Sequence, residues 1–218
     1  MSDGDDWIIR PYAPKDRDAV RAIAWETAFA GNPAEAFFDD KELLCDALVS
    51  SFTDGDPGAC WVAERRGEVC CYLLGTFDSR RLRGFFIRKV LPGILGEVFT
   101  GSAFASAKSR VFLRGLLTSW IKGELWMPDV SVRFPAVLHV NCKPPCRGLG
   151  AGSRLIRAFL GSLSEKGVPG VRLATVSDGA REFFEKLGFS VLHKGQRSYW
   201  QFFLGKKVPA YLMVRQIS

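Results

Sequence analysis

The stretch of chain that decides the fold spans residues 136–153 and reads Ala-Val-Leu-His-Val-Asn-Cys-Lys-Pro-Pro-Cys-Arg-Gly-Leu-Gly-Ala-Gly-Ser. Its first six residues predict a β-strand with Ala136, Leu138 and Val140 on one face. A glycine-rich loop follows, and a helix is expected to begin near Ser153. The amphipathic stripe that predicts this helix consists of Leu155, Ile156, Phe159, Leu160 and Leu163. With a further strand over 171–176, the unit is strand, glycine-rich loop, helix, strand.

The glycine-rich loop predicts an anion site. Backbone N–H groups at a helix start lack partners inside the helix, and the helix dipole adds partial positive charge there. Gly148, Gly150 and Gly152 carry no Cβ, so a phosphate can approach the chain closely. Arg147 adds a charged donor at the rim. The alternative interpretation is a plain tight turn between strand and helix.

Two common phosphate ligands do not fit this loop. The dinucleotide fingerprint needs one more residue before its third glycine and an acidic residue about twenty positions further on, which residues 172–176 do not supply. A nucleoside-triphosphate loop needs Gly-Lys-Ser/Thr, which is absent.

Two motifs identify a family resemblance. Residues 147–152, Arg-Gly-Leu-Gly-Ala-Gly, are similar to the Gln/Arg-x-x-Gly-x-Gly/Ala signature of the GNAT (GCN5-related N-acetyltransferase) superfamily. Residues 180–189, Ala-Arg-Glu-Phe-Phe-Glu-Lys-Leu-Gly-Phe, resemble that superfamily's Ala-x-x-Phe-Tyr-Glu-Lys-x-Gly-Phe stretch, one strand later. The resemblance covers the whole chain and is strong over 136–189. It implies an α/β fold with a mixed, mainly antiparallel sheet flanked by helices, as a single domain over 1–218.

The resemblance also implies how acetyl-CoA would bind as co-substrate. The pantetheine arm should pair with the strand end at Val140, Asn141 and Cys142, in a splay between two parallel strands. The N–H groups of Leu149 to Ser153 should hold the pyrophosphate. The full expected cofactor set is Val140, Cys142, Arg147, Gly148, Leu149, Gly150, Ala151, Gly152, Ser153, Ser177 and Phe184.

The catalytic residues are less directly implied, because the chain departs from the family pattern. Phe184 occupies the position where the superfamily often has a tyrosine that protonates the thiolate. Ser177 occupies the position before the helix where the superfamily often has an asparagine. Three routes stay open: Tyr199 as a substitute acid, a water as that acid, or a thiolate that leaves unaided; loss of catalysis is the fourth alternative.

For the base we select His139, on the cofactor strand, with an ordinary pKa near 6.5; its alternative role is that of a packed strand histidine. Glu26 or Glu35 would act through a water. Asn141 orients acceptor or carbonyl, or else bonds to the backbone.

A basic segment precedes the cofactor strand. Between Ser79 and Lys122 nine basic residues are opposed only by Glu97, whereas the rest of the chain, of net charge +7 overall, is near neutral. Residues 79–134 are interpreted as a helical insertion beside the acceptor cleft. One alternative is that these arginines form an ordinary solvated face, and another is that they assist the phosphates of the cofactor. If the segment is a basic lid, it concentrates anionic partners, so the acceptor is predicted to carry negative charge. Arg80, Arg81 and Arg83 are the residues on which that prediction is tested.

Composition excludes other classes. No apolar run is long enough to span a bilayer, and the acidic start of the chain does not resemble a secretory signal, so a cytoplasmic location is expected. Six scattered cysteines predict buried, reduced thiols and no disulfide framework. The spacing of Cys142, Cys146 and His139 does not favour zinc, so no metal is expected. No nucleic-acid recognition motif is present. Residues 198–204 and 210–217 are expected to form a closing hairpin.

Together these observations predict an acyl-CoA-dependent N-acetyltransferase. An amine acceptor, a small molecule or a peptide, would attack the thioester directly in a ternary complex. The alternative, motivated by Phe184, is a non-catalytic acyl-CoA-binding module. The sequence does not define an oligomeric state.

Overall fold

The computed structural model describes residues 6–101 and 106–217. Within these ranges seven strands form one sheet in the order β1-β2-β3-β4-β5-β7-β6. The strands are β1 Trp7–Pro11, β2 Trp61–Arg65, β3 Glu68–Thr76, β4 Ala136–Cys142, β5 Gly170–Thr175, β6 Ser190–Arg197 and β7 Val208–Gln216. Only the β4–β5 pair is parallel, and the other described pairs are antiparallel. The predicted mixed, mainly antiparallel α/β fold is confirmed.

Helices flank this sheet. They are α1 Arg17–Thr27, α2 Lys41–Cys45, α3 Ser51–Thr53, α4 Ser79–Phe85, α5 Leu91–Thr100, α6 Ala107–Ile121, α7 Ala151–Glu165, α8 Asp178–Glu185 and α9 Gln201–Leu204. Two π-helical turns, Asp46–Ser50 and Phe86–Val90, join α2 to α3 and α4 to α5. None of the described helices is both long and apolar enough to cross a membrane.

The two faces of the sheet have separate cores. On one face α7 buries the predicted stripe, including Leu155 and Phe159, against Leu138 and Leu173. On the other face α1 packs Val20 and Ile23 against residues of β2 and β3. Because successive strand residues point to opposite faces, residues between the core positions of β4, such as His139, face the α1 side.

The segment expected to be an insertion contains α4, α5 and α6, whereas its residues 122–134 form turns and irregular chain. An aromatic cluster connects α6 to the segment between α1 and α2 and to the segment between β6 and β7. Phe112 of α6 lies 4.5 Å from Phe37 between ring centroids, and Phe37 in turn contacts Trp200 at 5.8 Å. The basic segment is thereby attached on the α1 side of the sheet.

The prediction of a closing hairpin is wrong for its first strand, residues 198–204. Residues 190–197 form β6, which pairs with β7, while residues 201–204 form α9. The apolar run after Ser198 is explained by packing rather than by strand pairing, because Tyr199 and Trp200 contribute to the aromatic cluster. Gly205, with φ of +68°, then ends α9.

The expectation of reduced cysteines is wrong for one pair. Cys71 of β3 lies directly opposite Cys142 of β4, and the two form a disulfide with a Cα–Cα distance of 4.0 Å. Adjacent antiparallel strands bring their side chains together without regard to spacing along the sequence. Cys45, Cys60, Cys70 and Cys146 are free thiols.

Candidate active site

A cleft opens where the two parallel strands separate. β4 and β5 pair only at Ala136↔Val171 and Val137↔Arg172, and beyond these residues they diverge. The cleft has a volume of about 590 Å³ and is bordered by the second half of β4, by the residues that follow β5, and by residues 24–31. The separation leaves backbone groups of β4 facing β5 without ladder partners, which suits an extended amide-containing chain such as pantetheine.

The glycine-rich loop directly follows Arg147, which lines this cleft. Gly148 and Gly150 have φ of +76° and +86°, a region that favours glycine. Gly150 is the N-cap of α7, which has no side-chain cap, so the first N–H groups of the helix are available to an anion. The indole Nε1 of Trp7 donates to the carbonyl of Leu149 at 3.1 Å and fixes the loop. These features fit the pyrophosphate of an acyl-CoA.

The other loop residues of the expected cofactor set surround that helix start. Ala151 is buried, and Ser153 is half-buried in the first turn of α7. A Cβ on Gly152 would lie 3.5 Å from the ring of Phe183 and 4.0 Å from Sγ of Cys142, so space there is limited but sufficient. Glycine is therefore required by backbone angle at Gly148 and Gly150 rather than by crowding.

Arg147 bridges the two walls of the cleft. Its Nε donates to the carbonyl of Cys142 at 3.1 Å, and its Nη2 donates to the carbonyl of Gly31 at 2.6 Å. Residues 30–31 adopt positive φ angles, +49° at Ala30 and +95° at Gly31, which turn this carbonyl toward the guanidinium. The arginine thus places positive charge beside the glycine-rich loop.

His139 and Asn141 project from β4 into the middle of the cleft and contact each other. Nδ2 of Asn141 lies 3.2 Å from Nε2 of His139 and donates to the hydroxyl of buried Tyr72 at 3.0 Å. An amide nitrogen only donates, so Nε2 of His139 accepts and its Nδ1 carries the proton. Burial lowers the pKa of His139 to about 4, and the imidazole is therefore neutral at pH 7.

Three further predicted residues line the same cleft. Burial raises the pKa of Tyr199 to about 12, so its hydroxyl stays protonated. Phe184 is buried in the wall and also packs against Phe183 and Phe189. Ser177 caps α8 by accepting from the N–H of Ala180, which gives its hydroxyl a structural role as well.

The carboxylates considered as alternative bases lie elsewhere. Neither Glu26 nor Glu35 is among the described residues that line the cleft, and Glu35 accepts a hydrogen bond from Nε1 of Trp25 at 3.4 Å. The described lining contains no aspartate or glutamate at all. No group of three or more His, Cys, Asp or Glu side chains that could hold a metal occurs within residues 6–101 and 106–217.

Sequence reasoning missed two residues of the cleft and one that supports it from the core. Tyr72 contacts the cleft residue Asn141 because β3 pairs with β4 in the register Tyr72↔Asn141. Arg197 enters from the last residue of β6, and Gly31 from the loop after α1. The Ala30-Gly31-Asn32-Pro33 turn was a visible sequence signal, but no local signal marks Tyr72 or Arg197.

Comparison with known proteins agrees with this geometry. Residues 112–189 match the profile of the Acetyltransferase (GNAT) family. Protein O-GlcNAcase of Rattus norvegicus is 26% identical over 192 residues, which cover 84% of this chain and 20% of that protein, and the Mus musculus protein gives the same values. The chain therefore spans about a fifth of the length of the curated relatives it matches.

Solved structures share the fold over nearly the whole chain. SsHAT matches with a TM-score of 0.70 at 24% identity, covering 98% of this chain and 99% of that one. A Drosophila melanogaster polyamine N-acetyltransferase, which forms N-acetylagmatine, matches with a TM-score of 0.58 at 17% identity over 97% of this chain and 100% of that one. A putative acetyltransferase from Salmonella typhimurium, solved with its cofactor acetyl-CoA, gives 0.58 at 14% identity over 98% and 95%.

The resemblance to the GNAT superfamily that the two motifs indicated is confirmed. The chain has the GNAT fold, and its residues 112–189 carry the family's sequence pattern. This fold supports acetyl transfer from an acyl-CoA in general.

Proposed function

We propose that this protein is an N-acetyltransferase that moves the acetyl group of acetyl-CoA to an amine acceptor in a ternary complex. The observation that carries the proposal is the uncapped helix start at Gly150, three residues after Arg147, which lines the same cleft as His139 and the diverging end of β4. One end of the cleft thus suits the phosphates, and the middle suits the thioester and an attacking amine. A cytoplasmic location stays a prediction.

The side chains divide the chemistry as follows in this proposal. The N–H groups of the first turn of α7 and the positive charge of Arg147 hold the anionic end of the co-substrate. Val140 and Cys142 contribute backbone groups along its arm. Holding both reactants in one cleft makes attack on the thioester effectively unimolecular.

Proton transfer is assigned to His139 and Tyr199. Neutral His139 takes the proton of the attacking nitrogen at Nε2, where the acceptor displaces the amide of Asn141. Tyr199, protonated at neutral pH, returns a proton to the departing thiolate. The low pKa of His139 makes it a weak base, so the acceptor must bind with its amine already partly deprotonated.

The second candidate, a non-catalytic acyl-CoA-binding module, rests on two observations. Phe184 has no proton to give, and the described lining of the cleft holds no carboxylate. Such a protein would keep the cofactor site and lack turnover.

Two measurements separate these candidates. Calorimetry with acetyl-CoA tests the cofactor site, and free-thiol release with a panel of amines tests transfer. Thiol release that requires both the amine and acetyl-CoA supports the transferase. Tight acetyl-CoA binding without amine-dependent release over the whole panel supports the binding module, and lack of acetyl-CoA binding refutes both.

A further inference from the structure

Among the described residues, Arg197 is a buried cation without an anionic partner. Only 5% of its surface is exposed, and it lines the same cleft as His139. In the described part of the chain its guanidinium makes one hydrogen bond, from Nη1 to the backbone carbonyl of Gln196 at 3.3 Å, and no ion pair. Arginine offers five N–H donors, so most of its capacity is unused.

The nearby acidic residue is committed elsewhere. Glu124 accepts from the backbone N–H of Ser198 at 2.7 Å, from its hydroxyl at 2.8 Å, and from Nζ of Lys207 at 2.9 Å. The hydroxyl of Ser119 donates to it as well, at 2.9 Å. Glu124 thus holds the segment after β6 in place and does not neutralise Arg197.

The surroundings of Arg197 supply donors and room. Tyr199 and Trp200 line the same end of the cleft, and the buried indole Nε1 of Trp200 has no hydrogen-bond partner in the described structure. Ala174 and Ala210, which line the same cleft, are small, and a Cβ on Gly195, opposite Ala210, would lie 3.4 Å from Nη1 of Arg197. The lining around Arg197 therefore combines small residues with an arginine whose donors are largely unused.

A buried charge is costly unless an opposite charge or several hydrogen bonds compensate it. Planar guanidinium groups match the two oxygens of a carboxylate or a phosphate. A cationic acceptor would instead need carboxylates, which the described lining lacks. The missing partner of Arg197 is therefore an anion brought in by the ligand.

We propose that the acceptor amine carries an oxyanion, a carboxylate or a phosphate, that binds Arg197 while the amine points to His139. This proposal rests on the proposed transferase function and deepens it by naming the substrate class. The proposed substrate class does not include amines such as agmatine, whose N-acetyl derivative the Drosophila neighbour forms. Arg197 thus sets the specificity of this site for its acceptor.

Matched probes test this inference by binding, independently of turnover. With the protein saturated in coenzyme A, dissociation constants are measured by calorimetry for γ-aminobutyrate and its carboxamide, for O-phosphoethanolamine and ethanolamine, and for agmatine. We expect at least one oxyanion probe to bind about 10- to 100-fold more tightly than the matched amine that lacks the oxyanion. The carboxylate and phosphate arms show which oxyanion is preferred.

Variants assign the preference to Arg197. Arg197→Gln should remove it, and Arg197→Lys, which keeps the charge in case the glutamine variant fails to fold, should retain part of it. Lys194→Gln removes one positive charge from an exposed position on the opposite face of the same strand and should leave the preference unchanged. Equal binding of the probes with and without an oxyanion, tighter binding of agmatine, or a preference that persists in Arg197→Gln overturns the inference.

Turnover with acetyl-CoA is then measured separately. Oxyanion-selective binding without thiol release would refute the transferase and leave the Arg197 site standing. Thiol release without a preference for oxyanion probes would support the transferase and refute the Arg197 site.

Discussion

Replacing His139 by glutamine tests both the burial of this residue and its proposed role. The glutamine side chain can still accept the hydrogen bond from Asn141, but it cannot take up a proton. Burial lowers the pKa of His139 to about 4 in the folded protein, against about 6.5 in an unfolded chain. Between these values the unfolded state binds more protons, so acidification favours unfolding.

The magnitude follows from these two pKa values. The contribution of His139 to stability is fully present above about pH 6.5 and is lost as the pH falls toward 4. About 2 kcal/mol should be lost between pH 7 and pH 5, and about 3 kcal/mol when the loss is complete. The glutamine variant lacks this loss, so the difference in free energy of unfolding between the two proteins should change by about 2 kcal/mol across that range.

Urea denaturation at pH 7 and pH 5 measures this difference. His193→Gln, which replaces the other histidine of the chain, is the matched control and should keep the pH dependence that His139 contributes. The reasoning is refuted if the wild-type protein and His139→Gln lose the same free energy between the two pH values. In a thiol-release assay the same variant should lower kcat by about 10²- to 10⁴-fold if His139 is the base.

Three further predictions concern the loop, the β6–β7 connection and the basic segment. Gly150→Glu and Gly150→Gln share the backbone strain at φ of +86°, so they differ only in charge. By calorimetry the glutamate variant should bind coenzyme A at least about tenfold more weakly than the glutamine variant, because its carboxylate repels the phosphates. Equal affinities of the two variants would contradict the phosphate site. Although burial opposes it, hydrogen bonds from Lys207, Ser198 and Ser119 lower the pKa of Glu124 to about 2. Glu124→Gln should therefore lower the free energy of unfolding at pH 7 by about 1–3 kcal/mol, and this effect should fade as the pH falls from about 4.5 toward 2. A variant as stable as the wild-type protein would refute this prediction. Replacing Arg80, Arg81 and Arg83 by glutamate should raise KM for an anionic acceptor and leave KM for acetyl-CoA unchanged, since Arg80 and Arg83 line a second cavity beside the cleft. A change in KM for acetyl-CoA alone would contradict this prediction.

The part of the site that sequence predicts well is local. A glycine-rich loop between an apolar strand and an amphipathic helix defines its own geometry, because the positive φ angles and the free N–H groups arise within a few residues. Gly148 and Gly150 have these angles, and α7 begins directly after them. The expected helix start near Ser153 differs from the observed one by only two residues.

The part that sequence misses depends on strand register. Tyr72 and Asn141 meet, and Cys71 and Cys142 form a disulfide, because β3 and β4 align across a separation of about seventy residues. Periodicity predicts that both strands exist but does not fix their alignment. The error at 198–204 has a related cause, since an aromatic-rich run predicts a strand equally well whether it pairs in a sheet or packs against helices.

The charges of the cleft bear on how an amine becomes a nucleophile there. Arg147 and Arg197 both line the cleft, while His139 is neutral at pH 7 and the described lining has no carboxylate. Removal from water, without a carboxylate nearby, disfavours an ammonium ion, so it lowers the pKa of a bound amine. The oxyanion of the acceptor would compensate Arg197 and hold the molecule, while its amine, further along the cleft, would lose its proton more readily than in water. In this arrangement a weak base is sufficient, because the cleft itself shifts the acceptor toward the free amine that attacks the thioester.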